Sequence, residues 1–264
     1  MIMKNSKKLE KSRGIVAFAY NVDTIDYVAI AKKTLTLASQ QLELPYTLIT
    51  DKDLENTHYT MRCDIDTGSF IKWRNVGRHH AYELSPYDET LVIDVDYLIL
   101  DNNLNKIFDI DWDYLLARNS VALTATWPTT MGQNSLPYVW ATVFAFRKTP
   151  RAKLYFDLVG RIQRNYVYYC ALFNIDSRNY RNDYAFAIAD IVLNGYVVDK
   201  KSIPGSVIAI DQVIESLDYV SGKVIVRDQN KSYVLPQTNL HIMSKAYLQS
   251  NNCKNFIDKI LNES

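Results

Sequence analysis

Two aspartates stand two positions apart inside an apolar run, Leu91-Val-Ile-Asp94-Val-Asp96-Tyr-Leu-Ile-Leu100. A carboxylate among Leu, Val and Ile side chains is costly to bury unless it is protonated or meets a cation. Residues i and i+2 of a strand point to the same face, so Asp94 and Asp96 can converge while Val95 points away. Carboxylate oxygens suit Mg²⁺ or Mn²⁺, whose coordination is usually completed by substrate phosphates. The pair therefore predicts a divalent-cation site.

A simpler interpretation of the pair is two turn aspartates that cap the backbone or face solvent. The apolar residues on both sides argue against it, because a solvated turn does not need Leu-Val-Ile before it and Leu-Ile-Leu after it. We therefore favour cation binding and ask which elements would position the two carboxylates.

The elements around the pair predict an α/β fold with a mixed, mainly parallel central sheet flanked by helices. Residues 14–20 and 45–50 have the composition of strands, and apolar residues recur every three or four positions through 25–42, which is typical of an amphipathic helix. This β-α-β order is the unit of a parallel sheet, whose strand ends line the ligand crevice. A polar loop at 52–68 and a helix at 70–84 are expected before the aspartate strand.

Further elements are predicted after the aspartates. They are strands at 120–126, 138–146, 223–227 and 240–243, helices at 150–173 and 183–193, and a terminal helix. No Gly/Ser-rich linker interrupts the chain. We therefore expect a flexible basic tail at 1–13, followed by a single domain over 14–264.

The composition excludes several classes of protein. A net charge of +1 gives no overall basic field of the kind that marks nucleic-acid binders. The 8 glycines form neither a G-x-G-x-x-G motif nor a P-loop. The 3 cysteines include no C-x-x-C pair, which argues against structural zinc and favours a reducing compartment. No signal-peptide core and no run of about 18 apolar residues occurs, so we expect a cytoplasmic protein that spans no membrane.

The run Tyr87-Asp-Glu-Thr-Leu-Val-Ile-Asp94-Val-Asp96 resembles the DxD strand of GT-A glycosyltransferases, especially retaining enzymes similar to family 8. Two later runs also resemble elements of these enzymes, namely Arg181-Asn182-Asp183-Tyr184 and Leu240-His241-Ile-Met-Ser-Lys245. The family's version of the second element is His-x-x-Gly-x-x-Lys, whereas this chain has no glycine there and its lysine follows the histidine by four positions.

The resemblance implies a GT-A (Rossmann-like) fold and a hexosyl- or pentosyltransferase that acts with retention on a nucleotide-diphosphate sugar. A UDP-sugar is the expected donor and Mn²⁺, or else Mg²⁺, the expected ion, since a histidine ligand favours Mn²⁺. The implied roles are metal ligands for Asp94, Asp96 and His241, catalysis for Asp96 and Asp183, donor binding for Tyr20, Asp51, Arg78, Asn182 and Lys245, and an acceptor or sugar pocket for Trp140 and Thr142. Simpler roles also suit several of them, because Asp51 can begin a turn and Asp183 can cap a helix.

Residues 147–181 form a basic segment with interleaved aromatic residues, and Arg161 and Arg164 are its candidates for contact with the acceptor. Arginine on phosphates together with aromatic rings on bases is how single-stranded or flipped-out nucleic acid is held. The motif order YVWATVFAFRK, RNDYAFAIA and HIMSK also resembles glycosyltransferase-like proteins of tailed bacteriophages. That resemblance implies a hydroxymethylated base of phage DNA as acceptor, in the host cytoplasm. A helix with a basic outer face, and a glycan, protein or small-molecule acceptor, are the alternatives.

Two other functions stay open. A haloacid-dehalogenase-like phosphatase also carries D-x-D at a strand end, but its motif normally opens the chain and has Thr or Val where this chain has Leu98. A non-catalytic nucleic-acid-binding module on a degenerate glycosyltransferase fold would bind DNA through residues 147–181, without need of the aspartates and with a strong salt dependence.

Overall fold

The structure of the chain is a computed structural model. It describes residues 11–55, 59–74, 77–125, 130–131, 136–176 and 179–263. Residues 1–10 of the expected tail, Thr126 of an expected strand and Arg178 of the basic segment lie outside these ranges.

Strands and helices are distributed along the whole described part of the chain. The strands are β1 (Arg13–Phe18), β2 (Tyr46–Ile49), β3 (Tyr59–Cys63), β4 (Phe70–Arg74), β5 (Glu89–Ile93), β6 (Tyr97–Leu98), β7 (Tyr114–Ala117), β8 (Ser120–Ala122), β9 (Thr130–Met131), β10 (Leu136–Pro137), β11 (Trp140–Arg147), β12 (Val207–Ile210), β13 (Ile214–Val220), β14 (Lys223–Asp228), β15 (Ser232–Pro236) and β16 (Leu240–Ile242). The helices are α1 (Tyr27–Leu42), α2 (Ala81–Leu84), α3 (Pro150–Arg164), α4 (Tyr166–Leu172), α5 (Asn182–Leu193), α6 (Lys245–Gln249) and α7 (Asn251–Glu263), with 3₁₀ turns at Arg78–His80 and Asn103–Asp109. Within the described ranges, none of these helices combines the length and apolar character that crossing a membrane requires.

The central sheet has the strand order β2-β1-β5-β11-β7. β1 pairs in parallel with β2 and β5, whereas β11 runs antiparallel to both of its neighbours, β5 and β7. All 5 residues of β5 are buried, as expected for a strand covered on both faces. The predicted α/β fold with a mixed, mainly parallel sheet is confirmed.

Helices pack on this sheet through apolar side chains. α1 begins after Asp26, whose carboxylate accepts a hydrogen bond from the N–H of Ala29 at 2.9 Å and so caps the helix. α3 and α5 pack against β11, with the rings of Phe156 and Phe186 centred 5.9 and 4.9 Å from that of Phe144. This packing fixes the first turn of α5 beside the start of β11.

A second sheet, of order β6-β16-β12-β8, adjoins the turn after β5. β16 runs parallel to β12 and antiparallel to β6, with His241 opposite Tyr97. Because Tyr97 directly follows Asp96, this register brings His241 close to the aspartate pair although the two segments are far apart in the sequence. A third, antiparallel sheet, β13-β14-β15, packs against α7.

The loop expected at 52–68 is wrong at residues 59–63, and the helix expected at 70–84 is wrong at residues 70–74. The chain forms a hairpin there, in which β3 and β4 pair antiparallel from Tyr59 with Arg74 to Cys63 with Phe70. Gly68 lies in the hairpin turn with a φ of +67°, which favours glycine. Apolar residues at 70 and 73 fit a helix face, but pairing with β3 overrides that local preference.

The single helix predicted over 150–173 is also interrupted. Asn165 separates α3 from α4 with φ −121° and ψ 33°, outside the helical region. Its Nδ2 donates to the carbonyl of Arg161 at 2.9 Å, so the side chain takes part in ending α3. The helix predicted at 183–193 is confirmed as α5, and Gly195 follows its end with a φ of +64°.

Candidate active site

The two aspartates lie at the carboxyl end of β5, where the chain turns. β5 ends at Ile93, and the N–H of Tyr97 donates to the carbonyl of Asp94 at 3.1 Å, so the pair occupies the turn before β6 rather than the middle of a strand. The N–H of Asp94 in turn donates to the carbonyl of Thr142 on β11 at 2.8 Å. Backbone hydrogen bonds therefore fix this turn at the edge where the parallel strands end, which is the usual ligand edge of an α/β sheet.

A cavity of about 550 Å³ opens at this edge, a volume in the range of ligand-binding pockets. Its charged lining residues are the cations Arg62, Arg74, Arg78, Arg181 and Lys245 and the anions Asp64, Asp94, Asp96 and Asp183. Among the described lining residues the cations outnumber the anions by one. A divalent cation in this cavity would raise that excess, so the cavity suits a ligand with several negative charges.

Asp94 is held by a cation and a hydroxyl. Its Oδ1 forms an ion pair with Arg78, and Oγ1 of Thr142 donates to its Oδ2 at 3.0 Å. Arg78 stands on the 3₁₀ turn before α2 and also donates to the carbonyl of Ala141. Burial raises the pKa of the Asp94 carboxyl against the opposing effect of Arg78. Two residues predicted for other roles, Arg78 for donor binding and Thr142 for the acceptor or sugar pocket, thus contact Asp94 directly.

Asp96 has two basic neighbours. Lys245 Nζ donates to its Oδ2 at 2.5 Å, and Nε2 of His241 lies 3.3 Å from its Oδ1. Burial alone would raise the pKa of the Asp96 carboxyl, but Lys245 and His241 together hold that pKa well below its usual range. Asp96 is therefore ionised in the folded protein at neutral pH.

His241 completes a set of three ligand atoms. One atom each from Asp94, Asp96 and His241 lie within 4.8 Å of one another. The ring of Trp140 packs edge-on against the imidazole with centroids 5.1 Å apart. Nδ1 of His241 is buried and makes no hydrogen bond within the described part of the chain. A buried polar atom without a partner commonly marks a catalytic role or an ion, and two carboxylates with an imidazole are a donor set that Mn²⁺ accepts.

Lys245 lies at the start of α6 and is 95 % buried, with a relative exposure of 5 %. Besides Asp96, its Nζ donates to the carbonyls of Ile242 and Met243, both at 3.1 Å. An ammonium group has three donors, so the amine is fully engaged within the protein. Its predicted contact with a donor diphosphate would require it to release one of these acceptors.

Asp183 stands in the first turn of α5 and faces the same cavity. Its Oδ1 accepts from the N–H of Ala141 at 2.9 Å, and its Oδ2 accepts from Arg181 at 2.9 Å. Burial alone would raise the pKa of the carboxyl, but Arg181 and the N–H of Ala141 lower it below its ordinary value. An ionised Asp183 can accept hydrogen bonds from hydroxyl groups and cannot donate a proton.

Two further predicted residues line the cavity. The hydroxyl of Tyr20, just past β1, donates to the carbonyl of Leu54 at 3.2 Å, and burial together with Asp53 raises its pKa to about 12. Asn182 is buried and accepts from the hydroxyl of Tyr180 at 3.0 Å. The structure therefore brings ten of the thirteen predicted site residues to one cavity: Tyr20, Arg78, Asp94, Asp96, Trp140, Thr142, Asn182, Asp183, His241 and Lys245.

The other three predicted residues lie outside this cavity. Asp51 is exposed in the turn after β2. Arg161 and Arg164 are exposed in the last turn of α3, followed by the exposed ring of Tyr168 on α4. Other basic side chains of the 147–181 segment are engaged in ion pairs, namely Arg147 with Glu89, Lys153 with Asp157 and Arg181 with Asp183.

The sequence analysis missed the contribution of the β3–β4 hairpin. This hairpin brings Arg62, Trp73 and Arg74 to the cavity lining. Its tip is tied to the start of α6, because the Asp66 carboxylate accepts hydrogen bonds from the hydroxyl of Ser244 at 2.5 Å and the N–H of Ala246 at 2.8 Å. The Asp-Thr-Gly run that ends at Gly68 was a signal for this turn, since Gly between two short apolar runs is typical of a hairpin.

No protein-family model and no curated protein matches the chain. The similarity of this chain to solved structures is low. A glycosyltransferase involved in the glycosylation of the major capsid of PBCV-1 is 13% identical over 75% of this chain and 80% of its own, with a TM-score of 0.36. The glycosyltransferase GlyE of Streptococcus pneumoniae TIGR4, in its apo form, is 13% identical over 74% of this chain and 45% of its own, with a TM-score of 0.35.

A third similar structure is a mutant β-1,4-galactosyltransferase 7 of Drosophila in complex with manganese, UDP-Gal and xylobiose. It is 9% identical over 52% of this chain and 49% of its own, with a TM-score of 0.32. The chain thus spans less than half the length of the second and third of these proteins.

Proposed function

We propose that the protein is a metal-dependent glycosyltransferase that takes a sugar from a nucleotide-diphosphate donor. The observation that carries the proposal is the set of Asp94, Asp96 and His241, whose ligand atoms lie within 4.8 Å of one another in a cavity with an excess of cations. Two carboxylates and an imidazole suit a divalent ion, and the surrounding guanidinium and ammonium groups suit phosphate. A nucleoside diphosphate that carries a divalent ion would satisfy both the metal ligands and the cationic side chains.

Asp94, Asp96 and His241 would hold Mn²⁺, or else Mg²⁺, which would act as Lewis acid and template for the leaving diphosphate. Thr142 orients Asp94 by donating a hydrogen bond to its Oδ2 at 3.0 Å. Such orientation matters because ligands that are fixed in advance cost no reorganisation during the reaction.

Asp183 is assigned to the transferred sugar. Its carboxylate is ionised and fixed by Ala141 and Arg181, so it is suited to accept hydrogen bonds from sugar hydroxyls or to assist at the anomeric carbon. Tyr20 and Asp51, near the ends of β1 and β2, are assigned to the nucleotide. A uridine nucleotide, a hexosyl or pentosyl group and retention of configuration complete the proposal on the strength of the sequence resemblance.

The proposed acceptor is a hydroxymethylated base in phage DNA. The exposed side chains of Arg161 and Arg164, followed by the exposed ring of Tyr168, support it, since arginine on phosphate and an aromatic ring on a base are the contacts that single-stranded nucleic acid uses. A glycan, protein or small-molecule acceptor is the alternative, and it would have no need of these three side chains.

The donor is tested by a thermal-shift panel of nucleotide sugars, with and without Mn²⁺, on the wild type and on Asp94→Asn. A ligand at about 100 times its Kd adds about 2.7 kcal/mol, and each kcal/mol raises Tm by roughly 2–4 °C in a domain of this size. We expect a Mn²⁺-dependent shift with one donor that the variant loses. The absence of any shift would contradict the proposal and favour the phosphatase or the non-catalytic module.

The acceptor is tested by the double charge reversal Arg161→Glu with Arg164→Glu. We expect transfer to hydroxymethylated DNA to fall much more than hydrolysis of the donor. Lys223→Glu with Lys231→Glu, at two exposed positions of the β13-β14-β15 sheet, is the control with the same change in net charge. Equal losses of transfer and hydrolysis would count against DNA, while salt-dependent DNA binding that survives loss of both aspartates would favour the non-catalytic module.

A further inference from the structure

Both candidate ligand carboxylates are already paired with a cation of the protein itself. Arg78 pairs with Asp94, and Lys245 pairs with Asp96 at 2.5 Å. The side chain of Lys245 is only 6% exposed and that of Asp96 only 13%, so this second pair is largely withdrawn from water. These two pairs have to be loosened before the carboxylates can serve as ligands for a divalent ion.

The charges of the cluster show when that loosening is favourable. Two carboxylates and two cations form a group with no net charge. Adding a divalent ion alone places two more positive charges beside Arg78 and Lys245, at short range and with little water to screen them. A diphosphate that enters with the ion supplies the missing negative charge and offers new acceptors to both side chains.

We propose that Arg78 and Lys245 are internal counter-cations that make the binding of the metal ion and of the diphosphate depend on each other. Before binding, they neutralise Asp94 and Asp96. When a diphosphate enters, the guanidinium and the ammonium exchange the carboxylates for phosphate oxygens, and the freed carboxylates can hold the ion. This role rests on the proposed function of the site and adds to it a reason why the donor and the ion are bound together.

The two side chains are suited to this exchange. Arg78 has five donors in a planar fork, and its side chain is 21% exposed towards the cavity. Lys245 has a flexible stem and keeps the carbonyls of Ile242 and Met243 as acceptors after it leaves Asp96. Neither side chain is left without a partner at any stage, so the exchange leaves no buried charge unpaired.

The arrangement predicts weak binding of the ion alone and a clear gain when a diphosphate is present. Linkage requires the same factor in both directions, so the ion must tighten binding of the diphosphate as much as the diphosphate tightens binding of the ion. Removal of a counter-cation should tighten binding of the ion alone, because its ligand is then already free. It should also reduce the gain that the diphosphate brings.

The experiment measures Mn²⁺ binding by the electron paramagnetic resonance signal of the free ion, with and without inorganic pyrophosphate as the minimal diphosphate. The Mn²⁺ that pyrophosphate binds by itself is measured without protein and subtracted. The variants are Lys245→Met, which removes the charge and keeps the length, and Arg78→Met, which tests the other pair if the first variant does not fold. Lys72→Met is the matched control, because Lys72 is exposed and its Nζ lies over the ring of Tyr59, 3.9 Å from the centroid, away from both carboxylates. Circular-dichroism melting reports whether each variant is folded.

In the wild type, pyrophosphate should tighten Mn²⁺ binding by at least about fivefold, the low end of typical couplings. Lys245→Met or Arg78→Met should bind Mn²⁺ alone at least about fivefold more tightly than the wild type and gain less from pyrophosphate, while Lys72→Met should match the wild type. If Asp96→Asn abolishes Mn²⁺ binding but pyrophosphate and both methionine variants leave the affinity unchanged, the counter-cation role is wrong and the metal site stands. If the wild type binds no Mn²⁺ even with pyrophosphate, the metal site and the proposed function fail with it.

Discussion

The two ends of strand β5 both carry buried or partly buried carboxylates with basic partners, yet only one end has the features of a candidate site. At its start, Glu89 is 2% exposed and pairs with Arg13 at 3.0 Å and with Arg147 at 2.8 Å. Just past its end, Asp94 and Asp96 pair with Arg78 and Lys245. Ion pairing alone therefore does not distinguish a structural carboxylate from a functional one.

The difference lies in what surrounds each carboxylate. Glu89 is not among the described residues that line the cavity, and its oxygens are met by Arg13 and Arg147 from the neighbouring strands. The turn after β5 opens to the cavity and adds His241, whose Nδ1 is buried without a hydrogen bond within the described residues. Free ligand capacity, space and surplus positive charge together make the carboxyl end the candidate ligand site.

The largest effect is expected from Asp96→Asn at the functional end. An amide is a poor ligand for Mn²⁺, and a metal ion acting as Lewis acid supplies several kcal/mol of transition-state stabilisation, so turnover should fall at least about 100-fold. Donor hydrolysis and transfer are measured on the folded variant, with Asp101→Asn, outside the described lining of the cavity, as the control. A variant that retains full turnover would show that turnover does not depend on the Asp96 carboxylate, so the two ends of β5 would not differ in function.

The second largest effect is expected from Glu89→Gln at the start of β5, and it concerns stability. Removing one partner of a buried ion pair costs about 3–5 kcal/mol, and Arg147, whose side chain is 12% exposed, would keep only the fully exposed Asp111 as a counter-charge. The free energy of unfolding, measured in urea, should fall by that amount. Binding of Mn²⁺ by the variant, measured under conditions where it is folded, should not change. A loss of Mn²⁺ affinity would show that the two ends of the strand are coupled.

A smaller effect is expected from Gly160→Ala, which tests how Arg78 is positioned. A Cβ at Gly160 would lie 2.8 Å from Cδ2 of His79, so the imidazole has to move, and Arg78 precedes it on the same 3₁₀ turn. A misplacement of about 1 Å can cost up to about 100-fold in rate, so turnover should fall between about tenfold and 100-fold. Adding His79→Ala to Gly160→Ala should restore part of the activity, and a double variant as slow as the single one would contradict this account.

Prediction from the sequence was most successful where the chemistry is local. Asp94 and Asp96 stood out because carboxylates in an apolar run need an explanation. β1, α1 and β2 followed from apolar periodicity, and their ends bring Tyr20 to the cavity. The roles given to His241 and Lys245 needed a resemblance, because only the pairing of β16 with β6 brings them to the aspartates.

Prediction failed where tertiary pairing or partners decide the structure. The β3–β4 hairpin was expected as a loop and a helix, since spacing of apolar residues cannot show that β3 is available as a partner. The basic segment was interpreted from its charge and its interleaved aromatic residues, and the sequence could not show that Arg147 and Lys153 are held by Glu89 and Asp157. Local patterns therefore found the candidate ligand carboxylates, whereas the charges that compensate them were visible only in the fold.

Asp183 combines features of both ends of β5, because it faces the cavity and yet is held on both oxygens as Glu89 is. Its pKa in the folded protein lies below the ordinary value of 3.8, so the unfolded chain binds more protons between the two values. The stability that ionised Asp183 contributes is therefore present above 3.8 and is lost as the pH falls through the folded-state value. Urea unfolding of the wild type and of Asp183→Asn, at pH values on both sides of 3.8, should show a gap in free energy that narrows towards low pH. A gap in free energy that does not change with pH would mean that Asp183 stabilises the fold through packing rather than through its charge. The charge of Asp183 would then serve only the proposed contact with the sugar.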